Sequence, residues 1–189
     1  MKVKKIAKYT GLGIIIVILV AFVSMSFIIF DVISYTATDS QTLNPARNPV
    51  GNALVVYDPS ISGTAKNVAS VIASDLQAKG YKVNLAGIKS SSAMITSGYN
   101  VIVVGGPIYA GNVSGSVQSY LSTLNPPKNA KIGVFTTGGV AGNSTDAAYI
   151  RKEIPLSNNP TFQINAVIKV VNGNDINNKA TTFVNDLLK

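Results

Sequence analysis

The stretch that most constrains the fold is residues 53–69, Ala53-Leu-Val-Val-Tyr-Asp-Pro-Ser-Ile-Ser-Gly-Thr-Ala-Lys-Asn-Val-Ala69. It opens with a short run of β-branched and aromatic residues, Ala53 to Tyr57, which reads as a buried strand. A turn of Pro, Ser and Gly follows. Apolar residues then recur at helical spacing: Ala65, Val68, Ala69, Ile72 and Leu76. Strand, hydroxyl-rich turn and helix in that order can build an anion site, because the free N–H groups and the positive dipole end of the helix face the turn. Ser60, Ser62 and Thr64 add hydroxyls, and Gly63 allows close backbone approach. No Gly-Lys-Ser/Thr closes the turn and no Gly-x-Gly-x-x-Gly is present, so a terminal phosphate suits the turn better than a polyphosphate with its metal. The plain alternative for these residues is an ordinary helix cap and turn.

The amino-terminal segment sets a second constraint. Lys2, Lys4, Lys5 and Lys8 precede a run of 20 uncharged residues, Gly11 to Phe30. As a helix that run is roughly 30 Å long, the thickness of a bilayer's hydrocarbon core. A cleaved signal peptide shares the basic start, but its apolar region is usually about 7–15 residues and ends at a small-x-small site. Residues 34–39, Ser-Tyr-Thr-Ala-Thr-Asp, offer no such site. The expectation is a retained single-pass anchor, with residues 1–10 a basic tail and 11–35 a transmembrane helix meeting the membrane through 11–30. Four lysines precede the helix and only Arg47 follows it closely, which predicts a cytoplasmic N-terminus and a soluble domain on the outer face.

Residues 36–51 are polar, carry Pro45 and Pro49, and read as an extended linker. Beyond them, alternating strand and helix patterns fill 52–189. Tyr81 to Ile88 reads as a short edge strand, and Asn100 to Gly105 as a central one covered on both faces. Ser114 to Leu124 carries an apolar stripe and ends before Pro126 and Pro127. Lys131 to Thr137 is a further strand. Asp146 to Glu153 reads as a helix capped by Ser144 or Thr145. Ala166 to Val171 is the last strand, and Asn174 can cap a final helix through Ile176, Ala180, Phe183, Val184 and Leu187. Five strands alternating with helices predict an α/β, doubly wound parallel sheet whose ligands bind beyond the carboxyl ends of the strands. Three loops rich in Gly, Ser and Thr lie there: 58–65, 106–111 and 136–142.

Cysteine and histidine are both absent. That excludes disulfides, Cys/His zinc sites, a Cys nucleophile and a His general base, and no metal site or catalytic side chain is expected. Residues 48–189 carry 11 Lys/Arg against 6 Asp/Glu, a balance of +5. The lysines are scattered without interleaved aromatics, so no nucleic-acid partner is expected.

The motifs resemble those of the flavodoxin family. Residues 55–69 are similar to its phosphate loop, Thr/Ser-x-Thr/Ser-Gly-Asn-Thr before a helix. Tyr99 to Gly111 resembles the second flavin loop, in which a strand ends in Gly-x-Pro-Ile-Tyr and a small pair. Phe135-Thr-Thr-Gly-Gly139 is similar to the start of the third loop. The resemblance covers roughly 52–189 and implies a flavodoxin-like five-stranded sheet of order 2-1-3-4-5, preceded by one transmembrane helix. It also implies non-covalent FMN. Ser60, Ile61, Ser62, Gly63, Thr64 and Ala65 would surround the phosphate. Pro107, Ile108 and Tyr109 would lie along the ring, with Tyr109 on its inner face. The Ala110–Gly111 peptide would stand at flavin N5, and Thr136, Thr137, Gly138 and Gly139 at the pyrimidine edge.

Three departures stand out. Thr64 and Ala65 replace the family's Asn and final Thr, which removes side-chain donors. Val140 occupies the place of the usual outer-face aromatic, with Tyr149 the one nearby ring that could replace it. The domain is basic where flavodoxins are acidic, which favours an anionic reduced flavin and attraction to anionic lipid. The leading expectation is a membrane-anchored FMN electron carrier with a redox partner protein or quinone. A membrane FMN oxidoreductase acting on a quinone or other flat substrate is the second, and a flavodoxin fold that has lost FMN and serves as a binding module is the third.

Overall fold

Each apolar run in this chain is followed by a polar turn and, in most units, by a helix with one apolar face. A sheet sandwiched between helices is the arrangement that buries all of those faces together. The computed structural model describes residues 2–33, 37–138, 151, 162–171 and 175–189. The expected helix over 146–153 lies outside the described residues except for Arg151, which is helical. Gly139, Val140, Tyr149 and Asn174 also lie outside them.

The elements, in order, are α1 (Lys2–Ile33), β1 (Ser40–Leu43), β2 (Gly51–Tyr57), α2 (Thr64–Ala78), β3 (Tyr81–Gly87), α3 (Ser91–Met94), β4 (Val101–Tyr109), β5 (Asn112–Val113), α4 (Gly115–Thr123), β6 (Lys131–Thr137), β7 (Ile164–Val170) and α5 (Ile176–Leu188). The sheet order is β1-β3-β2-β4-β6-β7, with β5 paired to β4. The five parallel strands, counted among themselves, run 2-1-3-4-5, as expected.

The polar segment before β2 differs from expectation. Residues 40–43 form an antiparallel strand on β3, with Ser40 opposite Ala86 and Leu43 opposite Val83. β3 is therefore an inner strand rather than the edge, and the extended linker is interrupted by a piece of the sheet. β1 carries no apolar run because it is an edge strand, where only Leu43 is partly buried. The final helix also begins differently. Asp175 caps α5, its carboxylate accepting from Asn178 N at 3.2 Å.

The pleat sorts the apolar side chains between two cores. Ala53, Val55, Tyr57, Val101, Val103 and Phe135 face α2 and α5, meeting Val68, Ile72, Leu76, Phe183 and Leu187. Leu54, Val56, Ile102, Val104, Ile132 and Val134 face the other way, onto Val117, Tyr120 and Leu121 of α4. The helical face read from 65, 68, 69, 72 and 76 is fully buried. Each large aliphatic side chain sealed this way contributes about 1.5–3 kcal/mol.

Among the described residues, α1 contributes no side chain to either core, although it comes close to α4. Tyr9–Phe27 has a mean hydropathy of 2.5 and none of it is buried in the protein. It is long and apolar enough to cross a bilayer, with no polar stripe to mark a solvent side.

Candidate functional site

The carboxyl ends of β2, β4 and β6 are adjacent in the sheet, so the loops that follow them converge. Backbone strain gathers there too. Of the seven described residues with positive φ, five lie in these loops: Ser60, Gly63, Ala110, Gly111 and Gly138. Ser60 (φ 64) and Ala110 (φ 48) are the non-glycine cases, and a left-handed conformation costs such residues roughly 1–2 kcal/mol. Strain of that kind persists where surrounding structure over-determines it, and it clusters at binding sites.

The first loop is a small cage of hydroxyls. Ser60 Oγ and Ser62 Oγ lie 3.1 Å apart, and Ser62 Oγ lies 2.9 Å from Thr64 Oγ1. Gly63 caps α2 with φ 72, a conformation a side chain would resist, and its N–H donates to Ser60 O at 3.2 Å. Gly63 has no side chain to cap the helix, and Ser62 Oγ accepts only the Thr64 N–H, at 3.4 Å. The opening N–H groups of α2 thus remain directed toward the turn, where an anion would complete them.

Beneath this loop sits Asp58, fully buried. Its carboxylate accepts from Ser60 N at 3.3 Å, from Ser114 Oγ at 2.6 Å and from Ser116 Oγ. Ser114 is the residue that leads into α4, so one carboxylate fastens the first loop to the start of the helix that follows the second. Gly106 allows the approach. A Cβ there would come within 2.8 Å of both Asp58 Cβ and Val117 Cγ2. Sequence reasoning placed Asp58 at the start of a ligand loop but gave it no role. The available signal was an acid directly after a buried central strand, in a turn otherwise made of hydroxyls.

The second loop is a tight hairpin. Tyr109 pairs with Asn112 across Ala110 and Gly111, both with positive φ, which is the requirement of a type I′ turn. Together the loops enclose a cleft of about 270 Å³. Ser60, Ile61, Ser62 and Thr64 line one side, Pro107, Ile108 and Tyr109 another, and Thr137 and Gly138 the third. Every one of these is a residue expected at the site from the sequence. The remaining expected residues sit around it differently. Ala65 is buried in the α2 core, Ala110 and Gly111 are exposed at the hairpin tip, and Thr136 is buried with its hydroxyl 3.4 Å from Ile168 O. Gly139 lies outside the described residues.

Among the described residues, the lining carries no charged side chain. Its chemistry is hydroxyls and N–H groups at one end and an apolar wall of Pro107, Ile108 and Tyr109 at the other. A phosphate ester on a flat ring fits that division, since the polar cage and helix start suit the anion and the wall suits the ring. FMN is such a molecule, and these residues fit it.

A second polar cluster lies beside the cage. Tyr57 Oη donates to Asp39 Oδ1 and Lys66 Nζ donates to Asp39 Oδ2, each at 2.8 Å. The Lys66 ammonium also sits 5.7 Å from the Tyr57 ring centroid, within cation–π range. The bond from Lys66 holds the Asp39 carboxyl below its ordinary value. Burial, and then the Asp39 carboxylate, push the Tyr57 hydroxyl up to about 12.

The flavodoxin-domain family model matches residues 54–183. No curated protein matches the sequence. Among solved structures, oxidised flavodoxin 2 from Bacillus cereus is similar at 17% identity and a TM-score of 0.52, covering 72% of this chain and 97% of its own. A flavodoxin from Streptococcus pneumoniae TIGR4 gives 15% and 0.51, covering 72% and 97%. A flavo di-iron protein mutant from Thermotoga maritima gives 20% and 0.53, covering 75% of this chain; the chain spans only 36% of that protein's length. At these identities the neighbours speak to the fold, while the family match extends over most of the chain and all of the first two loops. The chain belongs to the flavodoxin family, whose members are FMN-binding electron-transfer domains.

Proposed function

We propose that this protein is a membrane-anchored electron carrier that binds FMN in the three-loop cleft. The observation that carries the reading is the convergence of Ser60–Thr64, Pro107–Tyr109 and Thr137–Gly138 on one cleft with a hydroxyl cage at one end and an apolar wall at the other. FMN, when bound, supplies the electron-accepting and electron-donating chemistry; the protein's work is binding and orientation. The hydroxyls of Ser60, Ser62 and Thr64 and the start of α2 hold the phosphate. Tyr109 and Pro107 bound the ring, and Asp58 fixes the two loops relative to each other.

α1 is read as a retained membrane span, with the lysine-rich tail in the cytoplasm and the folded domain on the outer side. The redox partner is a protein or a quinone. The experiment is direct: full-length protein purified in detergent should carry flavin absorbance, and a colourless apoprotein that does not take up added FMN would remove the reading. A colourless but folded protein would leave the binding-module alternative in its place.

A further inference from the structure

The chain enters the sheet at the same end as the cleft. β1 runs antiparallel to β3, and Ser40, at its start, lies opposite Ala86 near the carboxyl end of β3. Just before it, Ala37 O accepts from Lys89 N at 2.9 Å and Asp39 O accepts from Gly87 N at 2.8 Å. Asp39 reaches onward to Tyr57 and Lys66, which flank the hydroxyl cage. Ile33, the last residue of α1, is four Cα steps from Ala37, a reach of at most about 14 Å. From there β1 leads away, toward the amino end of a sheet whose strands run roughly 23 Å.

We propose that the cleft-bearing end of the sheet is held facing the headgroup layer of the bilayer that α1 spans, so that electrons enter or leave the cleft at the membrane surface. This rests on the reading of α1 as a membrane anchor. The surface chemistry is consistent with it. Ile61, at the lip of the cleft, is 60% exposed, and none of the described residues that line the opening is charged. Asp39 and Lys66, beside it, neutralise each other at 2.8 Å. The described cations are more numerous at the other end, where Lys79 closes α2, Lys82 and Lys131 lie at the starts of β3 and β6, Lys128 precedes β6 and Lys189 ends the chain, while Lys66, Lys89 and Lys179 lie toward the cleft end. General attraction of a basic domain to anionic lipid would turn that far end to the membrane. The short covalent link opposes it and keeps the cleft end near.

The chain lacks cysteine, so single labels are clean. Lys89→Cys reports the cleft end and Lys128→Cys the far end; both positions are exposed. Each full-length variant is nitroxide-labelled and placed in phosphatidylcholine nanodiscs containing a lipid with a gadolinium-chelating headgroup. The expected result is several-fold faster relaxation at position 89 than at 128. A long Gly/Ser insertion between Tyr35 and Thr36 should bring the two to the same value while leaving cooperative unfolding unchanged. Equal relaxation in the uninserted chain, or faster relaxation at 128, overturns the proposal and leaves the anchor standing. Failure of the wild-type chain to float with phosphatidylcholine vesicles overturns the anchor, and the proposal with it.

Discussion

Tyr57 Oη donates a hydrogen bond of 2.8 Å to Asp39 Oδ1, joining the last residue of the central strand β2 to the residue that precedes the edge strand β1. The bond runs past β3, which lies between those strands, and Lys66 closes the cluster from α2. Two elements, β2 and α2, are thus tied to the chain's entry point at one carboxylate.

The pH dependence of this cluster has a definite sign. The Asp39 carboxyl is held below its ordinary value of 3.8, first by the bond from Lys66. A carboxyl lowered by folding contributes stability above its unfolded value, and that contribution is lost as pH falls below about 4. The pair is more than half exposed, so its worth at neutral pH is small. Asp39→Asn should therefore cost roughly 0.5 kcal/mol at neutral pH and nothing at strongly acid pH. Urea unfolding across that range would measure it, and a cost unchanged in acid would show that charge is not the basis of the clamp.

Asp58 should matter more than any single hydroxyl of the cage. Asp58→Ala leaves Ser114, Ser116 and the Ser60 N–H buried without their acceptor, at an expected total of about 3 kcal/mol. It also frees the first loop from α4. FMN affinity should fall along with stability, each 1.4 kcal/mol of binding being tenfold. Combining Ser114→Ala with Ser116→Ala removes donors instead of the acceptor and leaves the carboxylate buried and nearly unpaired. That double variant should be at least as unstable as Asp58→Ala. Denaturant midpoints and FMN titration of all three check this, and a stable Asp58→Ala with wild-type affinity would dissolve the strut.

What could be read from the sequence was whatever carried a period or a local motif. The α2 face shows at 65, 68, 69, 72 and 76 because a helix repeats, and the cage and the Pro107–Tyr109 wall show because each is contiguous. β1 was not legible. Ser40-Gln-Thr-Leu43 sits on a sheet edge where three of four side chains face solvent, so it has no apolar alternation to find. The four-residue α3 is too short to show a period. Asp58 was visible only as a turn residue, since its partners lie 56 and 58 positions away. The cap of α5 fell one residue from expectation because Asn174 and Asp175 are both competent caps, and tertiary placement of the helix decides between them.

Membrane topology can be read at Ser40, which is exposed and pairs only on one side, to β3. The lysine bias before α1 predicts that Ser40 lies outside the cytoplasm. Ser40→Cys should react with a membrane-impermeant thiol reagent in intact cells. Reaction only after lysis would place the domain on the cytoplasmic side.

Ala110 offers a test of strain in the hairpin that bounds the cleft. With φ 48 it holds a left-handed conformation next to Gly111 at φ 82. Ala110→Gly relieves about 1 kcal/mol of that strain, partly offset by the greater freedom of glycine in the unfolded chain. The net expectation is a stability change between zero and about +0.5 kcal/mol. A clear loss in the denaturant midpoint would mean that the alanine methyl makes a contact worth more than the strain.

The charge state of the cage gives the sharpest test of the cofactor assignment. Ser62 Oγ stands between Ser60 and Thr64, 3.1 and 2.9 Å from their hydroxyls, and it is exposed to the cleft. Ser62→Ala removes one neutral donor, which should weaken FMN by about 1 kcal/mol, or roughly fivefold. Ser62→Asp places a carboxylate against a dianionic phosphate at the positive end of α2. The repulsion opposes the attraction that the helix start supplies, and binding should fall by at least two decades, about 3 kcal/mol. Stability without FMN should move the other way. An acid in place of Ser62, whose hydroxyl accepts the Thr64 N–H at 3.4 Å, favours the fold at the positive helix end by about 0.3–1 kcal/mol. Riboflavin, which lacks the phosphate, supplies the control: Ser62→Asp should leave its binding unchanged. Equal loss of FMN and riboflavin would mean that the loop is disrupted, and unchanged FMN affinity would mean that the phosphate is held elsewhere.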